Sequence, residues 1–186
     1  MVNSTASLPA RESRFIRLLY NHHSGTVIAQ FERDSETATT RSLYMRDRRV
    51  ASYEQLLPAR DERTSYESPV VARSVPLMFF NVMTANTRGG RNWSHVARAD
   101  VLTRVTEVLF SRDELVPIAK SSPEWVLQPW VSELIDVSDD GMTLTCKVGI
   151  PEPQPGGAFH MKYGLFELNT ETRALTHLAD FENPYW

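Results

Sequence analysis

The side chains best suited to chemistry lie between apolar stretches. His22 and His23 sit in an Asn-His-His-Ser-Gly segment, and His160 closes a segment rich in proline and glycine. Neutral imidazole is the commonest metal ligand in proteins, so these three, if they converge, would hold a divalent ion. Arg88, Arg91, Asn92 and Trp93 surround the pair Gly89–Gly90. Arginine forks suit carboxylate or phosphate and an indole suits stacking on a sugar ring, so this set points to an anionic or carbohydrate ligand. Trp125 follows Ser-Ser-Pro-Glu and is a candidate for a partner surface. Each has a plainer reading. Loop histidines are often only solvated, an arginine-rich segment is often a hairpin tip, and Trp93 opens an apolar strand in which it would be a core residue.

Catalytic signatures are absent from the sequence. It contains no Gly-x-Ser-x-Gly elbow, phosphate-binding glycine loop, dinucleotide fingerprint or His-Glu-x-x-His. Cys146 is the single cysteine, which excludes an intrachain disulfide. It lies in an apolar, β-branched run and reads as a buried, inert thiol. Asp139 and Asp140 precede Gly141, where they serve a tight turn before any acid–base chemistry.

The elements that must position these residues are strands. Segments 13–20, 26–32, 77–83, 93–99, 105–110, 131–137, 142–149, 161–168 and 174–181 are short, β-branched or aromatic, and bounded by Gly, Pro, Asn, Asp or Ser. Helical periodicity is confined to 53–59 and 112–119. Two phrases recur. A proline precedes two apolar residues at 68–71, 128–131 and 183–186, and a polar turn follows Asp34, Asp100 and Asn169. Recurrence of this kind means one structural unit used several times. The spacing divides residues 13–186 into units of about 13–67, 68–127 and 128–186, after a flexible segment at 1–12. Aligned on Asp34, Asp100 and Asn169, the second and third units show four strands. The first shows strands equivalent to the second, third and fourth, with no first strand.

The run 138–144 (Ser-Asp-Asp-Gly-Met-Thr-Leu), followed by 163–178, resembles the repeat of TolB-like and dipeptidyl-peptidase-type β-propellers. Two positions depart from that pattern: Asp139 stands where the repeat has proline, and Arg104 or Arg173 where it has glycine. The resemblance implies an all-β fold of three tandem four-stranded antiparallel propeller-like blades, and it carries no catalytic residue. Propellers need about four to eight blades. Two copies would make a six-bladed ring, and the expectation is a homodimer in which the stub at 182–186 supplies the first strand missing from unit one. An open three-unit stack or a β-barrel are the alternatives. In a four-stranded unit, the second-to-third links and the crossovers between units share one end, and those links are the long ones. That long-loop face is where a ligand is expected.

Bulk properties set the outer bounds. The 186 residues are 41% hydrophobic and 23% charged, as in an ordinary globular protein. No apolar run reaches membrane-helix length and no signal peptide is visible, which favours the cytoplasm. Residues 1–112 carry a net charge of +5 and residues 113–186 a net charge of −8, so the two ends would attract each other within a chain or between copies. The arginines of the basic half alternate with acids and follow no nucleic-acid-binding pattern. The sequence thus points to a noncatalytic binding or scaffolding module for a protein or carbohydrate ligand, without a cofactor. A metal-assisted lyase or hydrolase acting on sugar acids at a central funnel is the alternative.

Overall fold

The computed structural model describes residues 14–34, 39–47, 54–57, 63–85, 91–118, 129–156 and 158–181. These residues form three four-stranded antiparallel sheets and one short helix. Sheet 1 holds β1 (Arg14–Asn21), β2 (Thr26–Asp34), β3 (Thr39–Asp47) and β4 (Glu54–Gln55). Sheet 2 holds β5 (Thr64–Val71), β6 (Leu77–Ala85), β7 (Arg91–Asp100) and β8 (Thr106–Ser111). Sheet 3 holds β9 (Trp130–Val137), β10 (Thr143–Pro153), β11 (Phe159–Asn169) and β12 (Leu175–Phe181). Strand order follows chain order in each sheet.

The sheets stack because the middle one is apolar on both faces. In β6, Met78, Phe80 and Val82 turn toward sheet 1 and meet Ile28, Leu43 and Met45, while Phe79 turns toward sheet 3 and meets Leu144, Cys146 and Val148. Side chains alternate along a strand, so an unbroken apolar run is the mark of a sheet covered on both sides. The short helix α1 (Arg112–Ile118) follows β8. Its start carries the carboxylate half of a capping box: the Ser111 N–H and hydroxyl both donate to Glu114 Oε2, at 2.7 and 2.8 Å.

The tight turns that join the first two strands of each sheet lie side by side. Asn21 Nδ2 of sheet 1 donates to the carbonyls of Ala72 and Val75, both at 2.9 Å. The Ser74 N–H donates to the Asp139 carbonyl at 2.8 Å. Gly141 is fixed there by its φ of +76° and by its neighbours, since an added Cβ would stand 3.1 Å from Leu77 Cδ1. The links between third and fourth strands also repeat. Asp100 Oδ1 accepts from the N–H groups of Leu102 and Thr103, and Asn169 Oδ1 from those of Glu171 and Thr172. Arg104 and Arg173 then take left-handed φ values of 62° and 61° at the position where the resembling repeat has glycine.

Three expectations require correction. Unit one does not lack its first strand: β1 fills that place, and the β1–β2 turn stacks with the first turns of the other two sheets. The shortened strand is the fourth, β4, with two residues. Asp34 therefore ends a second strand, whereas Asp100 and Asn169 end third strands. Within 53–59, the described part forms β4 followed by a bend at Leu56–Leu57, with no helical turn. The first strand of unit two starts at Thr64, ahead of the expected boundary at 68. Its Ser68–Pro69 step is a bulge, with Ser68 at φ 47° and a register shift between Glu67 and Val70. The calls on 1–12, Arg88, Trp125 and 182–186 lie outside the described residues.

Candidate functional site

The histidines do not converge. His22 and His23 are exposed in the β1–β2 turn, where the His22 ring meets Tyr20 edge-on at 4.7 Å. His160 is exposed on β11 opposite Glu152, near the far end of β10. At about 3.3 Å per strand residue, that end lies roughly 30 Å from the row of first turns. Among the described residues, no group of three or more His, Cys, Asp or Glu side chains is placed to hold a metal ion.

Trp93 is a core residue. It is 3% exposed, and its indole Nε1 donates to Asn81 Oδ1 at 3.3 Å. Its carbonyl accepts from the Arg112 guanidinium, which ties β7 to α1. Asn92 beside it is exposed, and Arg91 opens β7 opposite Ala85. Of the proposed ligand set, Asn92 and the start of β7 thus stand at the sheet end that also carries the β10–β11 hairpin and α1. Trp93 turns inward and offers no ring to a ligand.

The structure reveals a repeated junction that sequence reasoning missed. Sheet 1 sends Gln30 Nε2 to the Tyr66 carbonyl on β5 at 2.7 Å. Sheet 2 sends Asn81 Nδ2 to the Val131 carbonyl on β9 at 3.2 Å. Both amides are buried, and both sit at the fifth residue of the second strand. Both acceptors sit on the first strand of the next sheet, opposite the sixth residue of its second strand: Tyr66 faces Val82, and Val131 faces Val148. Next to each amide, the third strand adds a second contact. Arg41 pairs with Glu67 on β5, and Trp93 supports Asn81. The visible signal was Asn81 itself, a polar amide inside the apolar run 77–83.

Two sheet faces have no neighbour among the described sheets. On sheet 3, Trp130, Lys147, Tyr163 and Phe181 share the face turned away from sheet 2. Trp130 meets Tyr163 edge-on at 6.2 Å, and the Lys147 ammonium stands 4.6 Å from the Tyr163 ring centre and 5.2 Å from that of Phe181. Gly149 makes room for the two rings, since a Cβ there would lie 3.1 Å from Tyr163 and 3.2 Å from Trp130. On sheet 1, Phe15 and Leu18 of β1 are 51% and 56% exposed, beside the buried cluster of Ala29, Phe31 and Tyr44. Of the other first strands, β5 is largely covered, and β9 is buried at Val131, Leu134 and Val137 while Ile135 is 44% exposed.

A cavity of about 240 Å³ opens between sheets 1 and 2, where two-residue β4 stops short of covering β7 and β8. Leu57, Tyr66, Phe80, Val82 and Ala97 form its apolar wall, and His95, Arg104 and Thr106 its rim. Arg104 pairs with Glu54 across the mouth, an exposed ion pair of small energetic weight.

Charge shifts mark structural roles. Burial pushes the Cys146 thiol up to about 12, which removes its nucleophilicity. Burial also works to raise Glu114, but hydrogen bonds from the Ser111 N–H and hydroxyl, together with Arg173, outweigh it and hold the carboxyl below its ordinary value. Asp140 is held low by the Met142 N–H and the Ser138 hydroxyl within its turn. No helix among the described residues is long and apolar enough to cross a membrane. Comparison with protein-family models and with curated proteins finds no match.

Proposed function

We propose that this protein is a noncatalytic binding or scaffolding module of propeller-like build, whose ring of sheets is completed by a second copy. The observation that carries the reading is the directional junction: sheets 1 and 2 each donate from the second strand to the first strand of the next sheet. The face of sheet 3 that carries Lys147 is the donor type, and β1 presents the acceptor type, so the two unpartnered faces match in kind. Heterologous contacts of this sort close when two copies exchange them. The net charges of +5 and −8 on the two parts of the sequence favour the same pairing. A ring of six sheets leaves no open sheet face and presents the hairpin end, with Asn92 and the start of β7, for a protein or an acidic carbohydrate.

Mass measurement by light scattering at micromolar concentration tests the ring, and a strict monomer refutes it. A glycan array including sugar acids, probed with wild type and with Asn92→Ala, tests the ligand face. Retention that falls with Asn92→Ala at unchanged melting temperature supports it, and equal retention by both proteins refutes it. The metal-assisted lyase reading drew on convergence of His22, His23 and His160, and their placement at opposite sheet ends gives it no support.

A further inference from the structure

The two junctions inside the chain predict the chemistry of the third. The sheets superpose in sequence on the first residues of their second strands, because Asn21 pairs with Thr26, the Ala72 N–H donates to the Leu77 carbonyl, and the Ser138 N–H donates to the Thr143 carbonyl. On that frame the fifth residues are Gln30, Asn81 and Lys147. All three turn toward the face on which the next sheet packs, or would pack. Seventh-residue partners on the third strands are Arg41, Trp93 and Tyr163. Lys147 over Tyr163 therefore occupies the place of Asn81 against Trp93. On the acceptor side, Tyr66 and Val131 stand opposite the sixth residues Val82 and Val148, and the corresponding pair in sheet 1 is Phe15 opposite Phe31.

We infer that Lys147 is the donor of an intermolecular junction, its ammonium reaching the main-chain carbonyl of the partner's Phe15, as Asn81 reaches Val131 and Gln30 reaches Tyr66. The inference rests on the two-copy ring proposed above and adds to it the donor, the acceptor and the direction of the contact. Three observations support it. Lys147 is the one member of the equivalent set that is longer than an amide, and its chain lies against Tyr163 and Phe181, which steer the charge along the sheet face. Gly149 keeps Trp130 and Tyr163 close enough to form an apolar floor around it. Phe15 and Leu18 remain half exposed on β1, whereas the equivalent strands bury the residues that meet the preceding sheet, Tyr66 on β5 and Val131, Leu134 and Val137 on β9.

Sedimentation equilibrium of the full chain with Lys147→Gln, Lys147→Ala and Lys147→Glu tests the assignment. Glutamine is the residue that does this work at position 30, so Lys147→Gln is expected to stay within about threefold of the wild-type dimer Kd. Loss of the donor is expected to cost about tenfold per junction, and a symmetric dimer contains two, so Lys147→Ala should raise Kd about a hundredfold. Lys147→Glu should do at least as much. Circular dichroism melting of each variant checks that the sheets are intact. A monomeric wild type overturns the ring and this junction together. A dimeric wild type with all three variants unchanged overturns the Lys147 assignment alone, as does a Lys147→Gln variant as weak as Lys147→Ala.

Discussion

Asn81 offers the sharpest test of how the sheets are held together. Its side chain is fully buried, with Nδ2 on the Val131 carbonyl at 3.2 Å and Oδ1 receiving Trp93 Nε1 at 3.3 Å. Asn81→Leu keeps the number of side-chain heavy atoms and the branching at Cγ and removes both bonds. It also strands an indole N–H and a main-chain carbonyl in the core between sheets 2 and 3. Each stranded group costs about 1–3 kcal/mol. The added apolar burial returns about 1 kcal/mol. The expected loss is about 3 kcal/mol, equivalent to a fall in Tm of about 6–12 °C for a chain of this size. Urea denaturation followed by tryptophan fluorescence reads it directly, because Trp93 reports on the site. Asn92→Ala, one residue before Trp93 and exposed, is the control and is expected to stay within about 0.5 kcal/mol of wild type. An Asn81→Leu protein within about 1 kcal/mol of wild type would refute the claim that these amides fasten the stack, and would remove the template from which the Lys147 junction is drawn.

Gly141→Ala is expected to destabilise by about 1–3 kcal/mol in the same denaturation assay, because φ +76° is strained for alanine and the new Cβ meets Leu77 at 3.1 Å and Val75 at 3.3 Å. Cys146 is expected to resist iodoacetamide in the native protein and to react once urea has unfolded it; native labelling at the rate of a free thiol would show that the sheet 2–sheet 3 core opens. Glu114 has a folded-state pKa below its unfolded value, so its contribution is present above the ordinary carboxylate range and is lost as pH falls through the folded value. The stability gap between wild type and Glu114→Gln should therefore be larger at about pH 7 than at about pH 3. A gap that is constant across that range would remove the carboxylate from the Ser111 cap and the Arg173 contact.

Strand positions were legible because their pattern is local. Apolar and β-branched runs between Gly, Asp and Asn turns mark 77–83, 142–149 and 161–168; β6 and β11 cover their segments with a few residues added, and β10 covers all but Met142 of its own and runs on to Pro153. The helix at 112–118 was legible for the same reason, and Ser111 with Glu114 spells out its cap three residues apart. Phase was not legible. Asp34, Asp100 and Asn169 each precede a polar turn, and a polar turn looks alike whether it follows a second strand or a third. What separates them is the partner. Asp100 and Asn169 close turns that lead into full fourth strands, β8 and β12, whereas Asp34 leads into β3, and the fourth strand of sheet 1 is a two-residue stub. Moving unit one by one strand turned a present first strand into a missing one and carried His22 and His23 to the wrong end of the stack.

The candidate site was hidden by the same mechanism and for a deeper reason. Residues such as Arg91, Asn92 and His160 attract notice because they are polar beside Gly- and Pro-rich segments, although they stand in β7 and β11. The fastenings of this molecule are polar where the chain is regular: Gln30 in 26–34, Asn81 in 77–85, Lys147 in 143–153. A lone amide in an apolar strand costs free energy unless a partner meets it, and that partner lies on another sheet, at a distance no periodicity records. Gln30 and Asn81 meet main-chain carbonyls, and these depend on the backbone course and leave no trace in the residue types at 66 and 131. For Lys147, the equivalent acceptor lies on no described sheet beyond sheet 3. Its place in the series becomes visible only after the three second strands are set in common phase, which is why the donor face emerges from the structure and most strand positions from the sequence.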